Sequence, residues 1–326
     1  MIERASLRRC LLGLALGLAT LVARAEAPDA AVPAPGCPPK AEVPDPQAVQ
    51  QAMRVARDRG FLWRIEKSGR SSYLFGTVHV ARFDWMFPGP TVLRSLQTSD
   101  ALALELDMLD PDIQRRMADG QRRADAKLPE PLAERLSAQM RAACIEPATL
   151  AAFSPEMQLA ALTVLAARRD GLDPSYGIDI FLAGFGRGAR KPIVSLETPE
   201  IQLAALQMDD PAQTLEFVAS GLAELEAGRT RPMLVRIARI WAESDHDELM
   251  RYDEWCECRR TDAEREAMKR LLDDRNPALA ERIDAMHSGG KRVFAAVGSL
   301  HMVGPLGLPV LLAQRGYRVE RIAFAP

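Results

Sequence analysis

Tyr73-Leu74-Phe75-Gly76-Thr77-Val78-His79 and Ala295-Ala296-Val297-Gly298-Ser299-Leu300-His301 repeat one pattern near opposite ends of the chain, an apolar run entering Gly-x-x-His. Such runs read as buried strands. Gly76 and Gly298 are expected to let the backbone turn sharply off each strand. An imidazole three residues later then points back across the strand end, the edge where open α/β sheets bind ligands. Two acids hold matching positions: Ala101-Leu102-Ala103-Leu104 leads to Glu105, and Ile193-Val194-Ser195-Leu196 leads to Glu197. If these runs are central strands, His79, Glu105, Glu197 and His301 share one crevice.

Working outward, Phe61–Glu66 and Ser72–Phe75 flank Ser68-Gly69-Arg70, which is hairpin chemistry. Helical patterns over Gln47–Arg59 (closed by Gly60), Pro90–Gln97, Ile178–Arg187 and Leu306–Gln314 alternate with strand-like runs, the last of them Tyr317–Phe324. This order predicts an α/β fold with a central, mostly parallel mixed sheet flanked by helices. Residues 199–289 read as almost wholly helical, with Pro211, Pro232 and Pro277 as breakers or first-turn residues, and are taken as a helical insertion or cap. The sheet is then split in sequence and single in space, within one domain over residues 47–326.

The ends carry other information. Arg4, Arg8 and Arg9 precede an apolar run from Leu11 to Ala23, and Ala23-Arg24-Ala25 has small-x-small cleavage character, so residues 1–25 read as a secretory signal peptide. A periplasmic or secreted protein is expected, with no membrane anchor after cleavage; an uncleaved anchor helix is the other reading. Residues 26–46, rich in Pro and Ala, read as a tether. A net charge of −2 without a basic stripe gives no reason to expect nucleic acid. After processing, Cys37, Cys144, Cys256 and Cys258 remain, an even number that permits two disulfides whose pairing the sequence does not fix. Cys256 and Cys258 are expected to reach distant partners, because a bridge between residues two apart is strained. Without a second Cys or His pair at zinc spacing, Cys-Glu-Cys is a poor metal motif.

Two imidazoles with one or two carboxylates suit a divalent metal with a position left open for water. Each residue also has a plain structural reading. A single histidine after a strand is often just hydrogen-bonded, and Glu197, before Thr198-Pro199-Glu200, could cap a helix. Asp179 could cap the helix it opens or orient an imidazole; Arg275 could clamp a carboxylate or an oxyanion, or sit as a surface cap. Arg82-Phe83-Asp84-Trp85-Met86-Phe87 reads as an aromatic loop, leaning towards a substrate-contacting lid rather than core. His246, on a solvated helix entry, and His287, at a helix end where the dipole favours a cation, are read as structural.

These motifs, in order, resemble the TraB/PrgY/GumN family, which includes the TIKI metalloproteases and is related more distantly to erythromycin-esterase and ChaN-like proteins. The resemblance rests on Leu74–His79, Leu104-Glu105-Leu106-Asp107, Tyr176–Asp179, Leu196-Glu197-Thr198, Arg275-Asn276 and Val297–Gly304, continuing through Gly307 and Leu311-Leu312 to Gly316-Tyr317. It implies paired Gly-x-x-His motifs and a glutamate at the active centre, roles that fall here on His79, His301 and Glu105, and for the TIKI branch a divalent-metal-dependent peptidase.

The expectation is thus an exported metal-dependent hydrolase acting on a peptide or another small exported substrate. His79, His301 and Glu105 would hold manganese, cobalt or zinc, and Glu197 would act as general base or further ligand. In a metal-free version a His–Glu pair activates water directly. From a different class, the rival reading is a non-catalytic periplasmic binding protein for haem, a peptide or a polysaccharide fragment, with a histidine available as an axial haem ligand.

Overall fold

The structure is a computed structural model that describes residues 36–324, apart from 43, 123–126, 257, 260 and 261. Residues 1–25, read from the sequence as a signal peptide, and most of residues 26–46, read as a tether, lie outside the described residues.

Six strands form one mixed sheet in the order β4-β3-β5-β2-β1-β6, made of β1 (Phe61–Lys67), β2 (Arg70–Thr77), β3 (Ala101–Leu104), β4 (Ile193–Ser195), β5 (Val293–Gly298) and β6 (Arg318–Ile322). The β1–β2 hairpin turns through Ser68 and Gly69, both at positive φ, the geometry that a two-residue connection between twisted strands needs. β2, β5, β3 and β4 are mutually parallel, and β1 pairs antiparallel with β2 and with β6. Four strands therefore end at one edge. Thr77 lies beside Gly298, while Leu104 lies beside both Ala296 and Ser195. The apolar runs are continuous because parallel strands covered by helices are buried on both faces: every residue of β3 and β5 is buried.

Helices α1 (Pro46–Arg54), α2 (Pro90–Thr98), α3 (Pro111–Gly120), α4 (Glu130–Ala142), α5 (Pro155–Leu165), α6 (Ile178–Gly188), α7 (Pro199–Leu206), α8 (Pro211–Glu226), α9 (Thr230–Glu243), α10 (Asn276–Ser288) and α11 (Leu308–Gln314) flank it, with shorter turns between. The main core joins sheet residues such as Leu62, Leu74, Leu102 and Phe294 to Leu182 of α6, Trp241 of α9 and Leu279 of α10. A second apolar cluster lies mainly between α4, α5 and α8, through Leu136, Met140, Leu159, Leu162, Val218 and Leu222, with Leu150 from the turn between α4 and α5. Pro211, Pro232 and Pro277 all sit in first turns, where a missing N–H costs nothing. No described helix is long and apolar enough to cross a membrane.

Several expectations are corrected. The first helix stops at Arg54 rather than Arg59. The Asp58 carboxylate accepts the N–H groups of Thr91 and Val92 at the start of α2, and the Gly60 N–H donates to the Trp241 carbonyl, so residues 55–60 are drawn out along tertiary partners. Cys256 and Cys258 bond to each other, with Cα atoms 5.1 Å apart, a spacing that a disulfide bridges. The other bridge, Cys37–Cys144, ties the tail to the end of α4. The aromatic segment after His79 is a 3-10 turn over Phe83–Met86 that packs inward: Met86 and Phe87 are buried and Trp85 is partly so, giving core rather than an exposed lid. His246 is half-buried against the edges of Phe61 and Trp63 rather than on a solvated face. His287 is fully buried, with Nε2 on the Lys67 carbonyl and Nδ1 on the Ser72 hydroxyl, so its environment is a hydrogen-bond cage rather than an open helix end.

Candidate active site

The parallel register places the two Gly-x-x-His turns side by side, and their glycines do a different job from the one expected. Neither has a positive φ. Both are needed for close approach. A Cβ on Gly76 would stand 2.9 Å from the Ser299 hydroxyl, whose donation to the Thr77 carbonyl at 2.8 Å ties the two turns together. A Cβ on Gly298 would stand 3.2 Å from Glu105 Oε1, 3.6 Å from His79 Nε2 and 3.7 Å from His301 Cδ2. Two imidazoles and a carboxylate from three strand ends thus look onto one small notch above Gly298.

Each ring is aimed by a partner on its far nitrogen. His79 Nδ1 donates to Asp179 Oδ2 at 2.9 Å, and Thr77 Oγ1 holds the other oxygen of Asp179 at 2.6 Å. The aspartate, one residue into α6, makes no cap hydrogen bond and serves the histidine instead. His301 Nδ1 donates to Asn276 Oδ1 at 2.6 Å, and the Asn276 amide is itself fixed by donation to the Leu306 carbonyl. This leaves the Nε2 atom of His301 bare, 3.9 Å from Glu105 Oε2.

The acids are bound as a unit. Glu105 Oε1 accepts the Gly298 N–H at 2.7 Å, and Oε2 accepts from Arg275 Nη2 at 2.6 Å. Arg275 also grips Glu197 with Nε and Nη2, and the Gln202 amide donates to both carboxylates at 3.2 Å. Arg275 therefore clamps carboxylates of the protein itself, and Glu197 is neither exposed nor capping α7. Asp107, two residues past Glu105, turns away to Arg187.

Charge follows this geometry. Burial opposes ionisation of Glu105, but His301, His79 and Arg275, with the Gly298 N–H, hold its carboxyl down to about 2. Partial desolvation by the surrounding protein opposes protonation of His79, whose side chain is still mostly exposed, yet the charge and hydrogen bond of Asp179, then Glu105, lift it to about 9. His301 goes the other way: burial, helped by Arg275 and His79, outweighs Glu105 and lowers it to about 4. Two histidines in one site are thus set apart, one protonated and two-thirds exposed, the other neutral and buried.

The sequence profile of the TraB/PrgY/gumN family matches residues 61–321, from the first strand to the last. The chain belongs to this family. Two relatives, each named "Uncharacterized protein YbaP", from Shigella flexneri and from Escherichia coli K12, are 27% identical over 252 residues, covering 74% of this chain and 88% of theirs. No solved structure matches.

All six side chains singled out in the sequence, His79, Glu105, Asp179, Glu197, Arg275 and His301, meet at this edge around Gly298. Among the described residues no three His, Cys, Asp or Glu side chains already converge as a metal-binding group. Sequence reading missed Gln202 and Thr77 as site residues, and it named Asn276 only beside Arg275 in the family resemblance, without a role. Its position beside Arg275 at the head of α10 was the available signal, whereas nothing in the sequence marks Gln202, which lies on an ordinary helix.

Proposed function

We propose that this TraB/PrgY/gumN-family protein is a hydrolase whose site is the Gly298 notch, acting on a peptide with the help of a divalent ion. The observation that carries the reading is that Glu105, His79 and His301 all border the space above Gly298, 3.2, 3.6 and 3.7 Å from where a Cβ there would stand.

The donor set fits a dication. Both histidines present Nε2 while their Nδ1 atoms are held by an outer aspartate or asparagine, the arrangement that fixes ligand tautomers at metal sites. Glu105, Glu197 and Asp179 outweigh Arg275 and protonated His79 in formal charge, and the excess of negative charge grows when His79 gives up its proton to take a cation. His79, His301 and Glu105 would hold the ion, manganese, cobalt or zinc, which when bound lowers the pKa of its water and polarises a carbonyl. The chain's own residues do the rest. Burial keeps the His301 ring neutral, so at neutral pH its bare Nε2 carries a free lone pair with which to ligate the ion. His79, protonated through Asp179, would surrender its Nε2 proton on taking up the ion. Arg275 helps to keep Glu105 ionised and holds both Glu105 and Glu197 in place, so neither has to reorganise during turnover. Two disulfides support an exported site of action, since such bridges persist in oxidising compartments.

The test is cleavage of an unbiased peptide library by purified protein with manganese, cobalt or zinc, against His79→Ala, His301→Ala and Gly298→Ala, with bound metal measured on each. The expected result is cleavage abolished by chelator and reduced at least about 100-fold in each variant, Gly298→Ala included because its methyl fills the notch. Wild type and variants behaving alike would sink the assignment. Full activity in strictly apo protein would remove the ion, and a haem absorbance band on titration would favour the binding-protein alternative.

A further inference from the structure

Arg59 is a buried cation with almost nothing to hold. Its side chain is 10% exposed, its Nε is buried without a hydrogen-bond partner, its two hydrogen bonds, to the Arg57 carbonyl and the Asp84 carboxylate, are both stretched to 3.5 Å, and its guanidinium carbon lies 6.0 Å from the Trp85 ring centre. A guanidinium has five donors and no acceptor, so leaving them unmet in the interior is costly. Burial, aided by the neighbouring Arg57 charge, pulls its pKa down against the weaker help of Asp84. Yet the residue is not loosely placed. Asp58 on one side caps α2, and Gly60 on the other, at φ +79°, donates to the Trp241 carbonyl. Gly89 presses so closely on this segment that a Cβ there would stand 2.0 Å from the Asp58 nitrogen. The backbone is built to keep Arg59 where it is.

Arg59 lines a cavity with an otherwise apolar wall, chiefly Trp85, Phe87, Val92, Phe181, Leu182 and Trp241. The cavity has room for about one water-sized group, the head of a ligand rather than the whole of it. The charge around it is one-sided: the Arg82 guanidinium lies 5.4 Å from the Trp85 ring centre, and Arg57 flanks Arg59, with Asp84 as the nearby acid, itself half exposed.

We propose that this cavity is a second ligand site, separate from the histidine notch, that binds a carboxylate: the head group pairs with Arg59 and the carbon end rests against the aromatic wall. A planar carboxylate is the natural partner for unmet guanidinium donors, accepting in parallel from two of them. The monovalent group neutralises the buried charge without bringing in a second one that the apolar wall would have to solvate. Free short acids and the terminal carboxylate of a longer apolar chain share this chemistry. A longer chain would leave the cavity past Trp85, whose ring is only partly buried. The site does not depend on the hydrolase reading, although both border the segment after His79.

Tryptophan emission and thermal melts with sodium formate, acetate and octanoate, against sodium chloride at equal ionic strength, test it, because Trp85 and Trp241 both line the cavity. In wild type, carboxylate produces a saturable emission change and a raised melting temperature. Arg59→Met weakens binding by more than about tenfold, Arg59→Lys keeps part of it, and His301→Ala leaves it unchanged. In ligand-free buffer Arg59→Met melts at or above the wild-type temperature, since an unmet buried charge is gone, and carboxylate closes or reverses that gap. Octanoate binding far tighter than acetate identifies a chain terminus as the ligand, and comparable binding identifies a free short acid. No saturable response, equal binding by Arg59→Met, or a chloride response matching that of carboxylate overturns the proposal.

Discussion

Replacing Arg275 by methionine isolates the cost of holding two carboxylates together in the interior. The guanidinium reaches Glu105 and Glu197 at once, and side-chain exposures of 11%, 7% and 2% keep water away. At an effective dielectric near 20, one charge pair about 4 Å apart is worth about 4 kcal/mol. Breaking a buried pair by removing one partner costs about 3–5 kcal/mol, because the remaining charge is left uncompensated. In a chain of this size the loss corresponds to a melting-temperature drop of roughly 6–15 °C. The pH dependence gives the sharper test. In the intact protein Glu105 is held down to about 2, so its contribution is present above its ordinary value of 4.5 and is lost as pH falls through about 2. Without Arg275, burial gains weight and the carboxyl moves upward, so the destabilisation is greatest near neutral pH and fades in acid as the group takes up a proton. Melts of wild type and Arg275→Met from pH 4 to 8 read this directly, and Glu197→Gln in the variant background should recover part of the loss. A gap that does not change with pH, or a shift below about 2 °C at pH 7, would refute an electrostatic clamp.

Asp179→Asn removes the charge that lifts His79. The histidine's NMR titration midpoint, expected at about 9, should fall back towards 6.5. Because the folded value is raised, the stabilisation is fully present below 6.5 and lost as pH rises through about 9, so the variant's melting temperature should be flatter over that alkaline window. The disulfides should differ in worth by loop length. Cys37→Ser opens a closure spanning 107 positions and should cost about 5 kcal/mol, whereas Cys258→Ser opens one spanning 2 and should cost less than about 2 kcal/mol. Equal melting shifts for the two would contradict that ordering, and peptide mapping checks the pairing itself.

Strand ends and their histidines were legible because burial on both faces leaves an uninterrupted apolar run, and a Gly-x-x-His that follows such a run has few places to go. Helix existence was legible for the same reason, through periodicity and prolines at first turns. Other features depended on contacts that have no local sequence signature. Residues 55–60 have helical composition but are held extended by Asp58 and Gly60, whose partners lie at Thr91 and Trp241. The turn after His79 looked like an exposed loop because aromatic residues in a short non-periodic stretch are ambiguous. Only α6 and α9, more than 90 residues further on, supply the Phe181 and Trp241 rings that draw it inward. The Cys256–Cys258 bridge was misjudged from the short spacing, although the backbone brings the two Cα atoms to 5.1 Å. The glycine motif was located correctly for the wrong physical reason, since space, not a left-handed φ, is what Gly76 and Gly298 provide.

The split placement of the site ties its assembly to the closing of the sheet. β2 and β5 are adjacent and parallel although their paired residues, such as Tyr73 and Phe294, are separated by most of the chain. Joining them carries a large loop-closure cost before any contact offsets it, so this pairing is expected late in folding. The same step brings Ser299 onto Thr77 and presents the Gly298 N–H to Glu105, while Asn276 and Arg275 arrive at the head of α10, immediately before β5. A chain that has formed its hairpin and helices but not the β2–β5 ladder therefore has His79 and Asp179 without Glu105 fixed or His301 nearby. The charged cluster then acts as a lock on the final topology: Glu105 and Glu197 are compensated only when Arg275 reaches both, which requires the segment preceding β5 to be in register. The polar centre that gives the site its chemistry also penalises sheets closed in the wrong order, because a misregistered β5 leaves carboxylates buried without their cation.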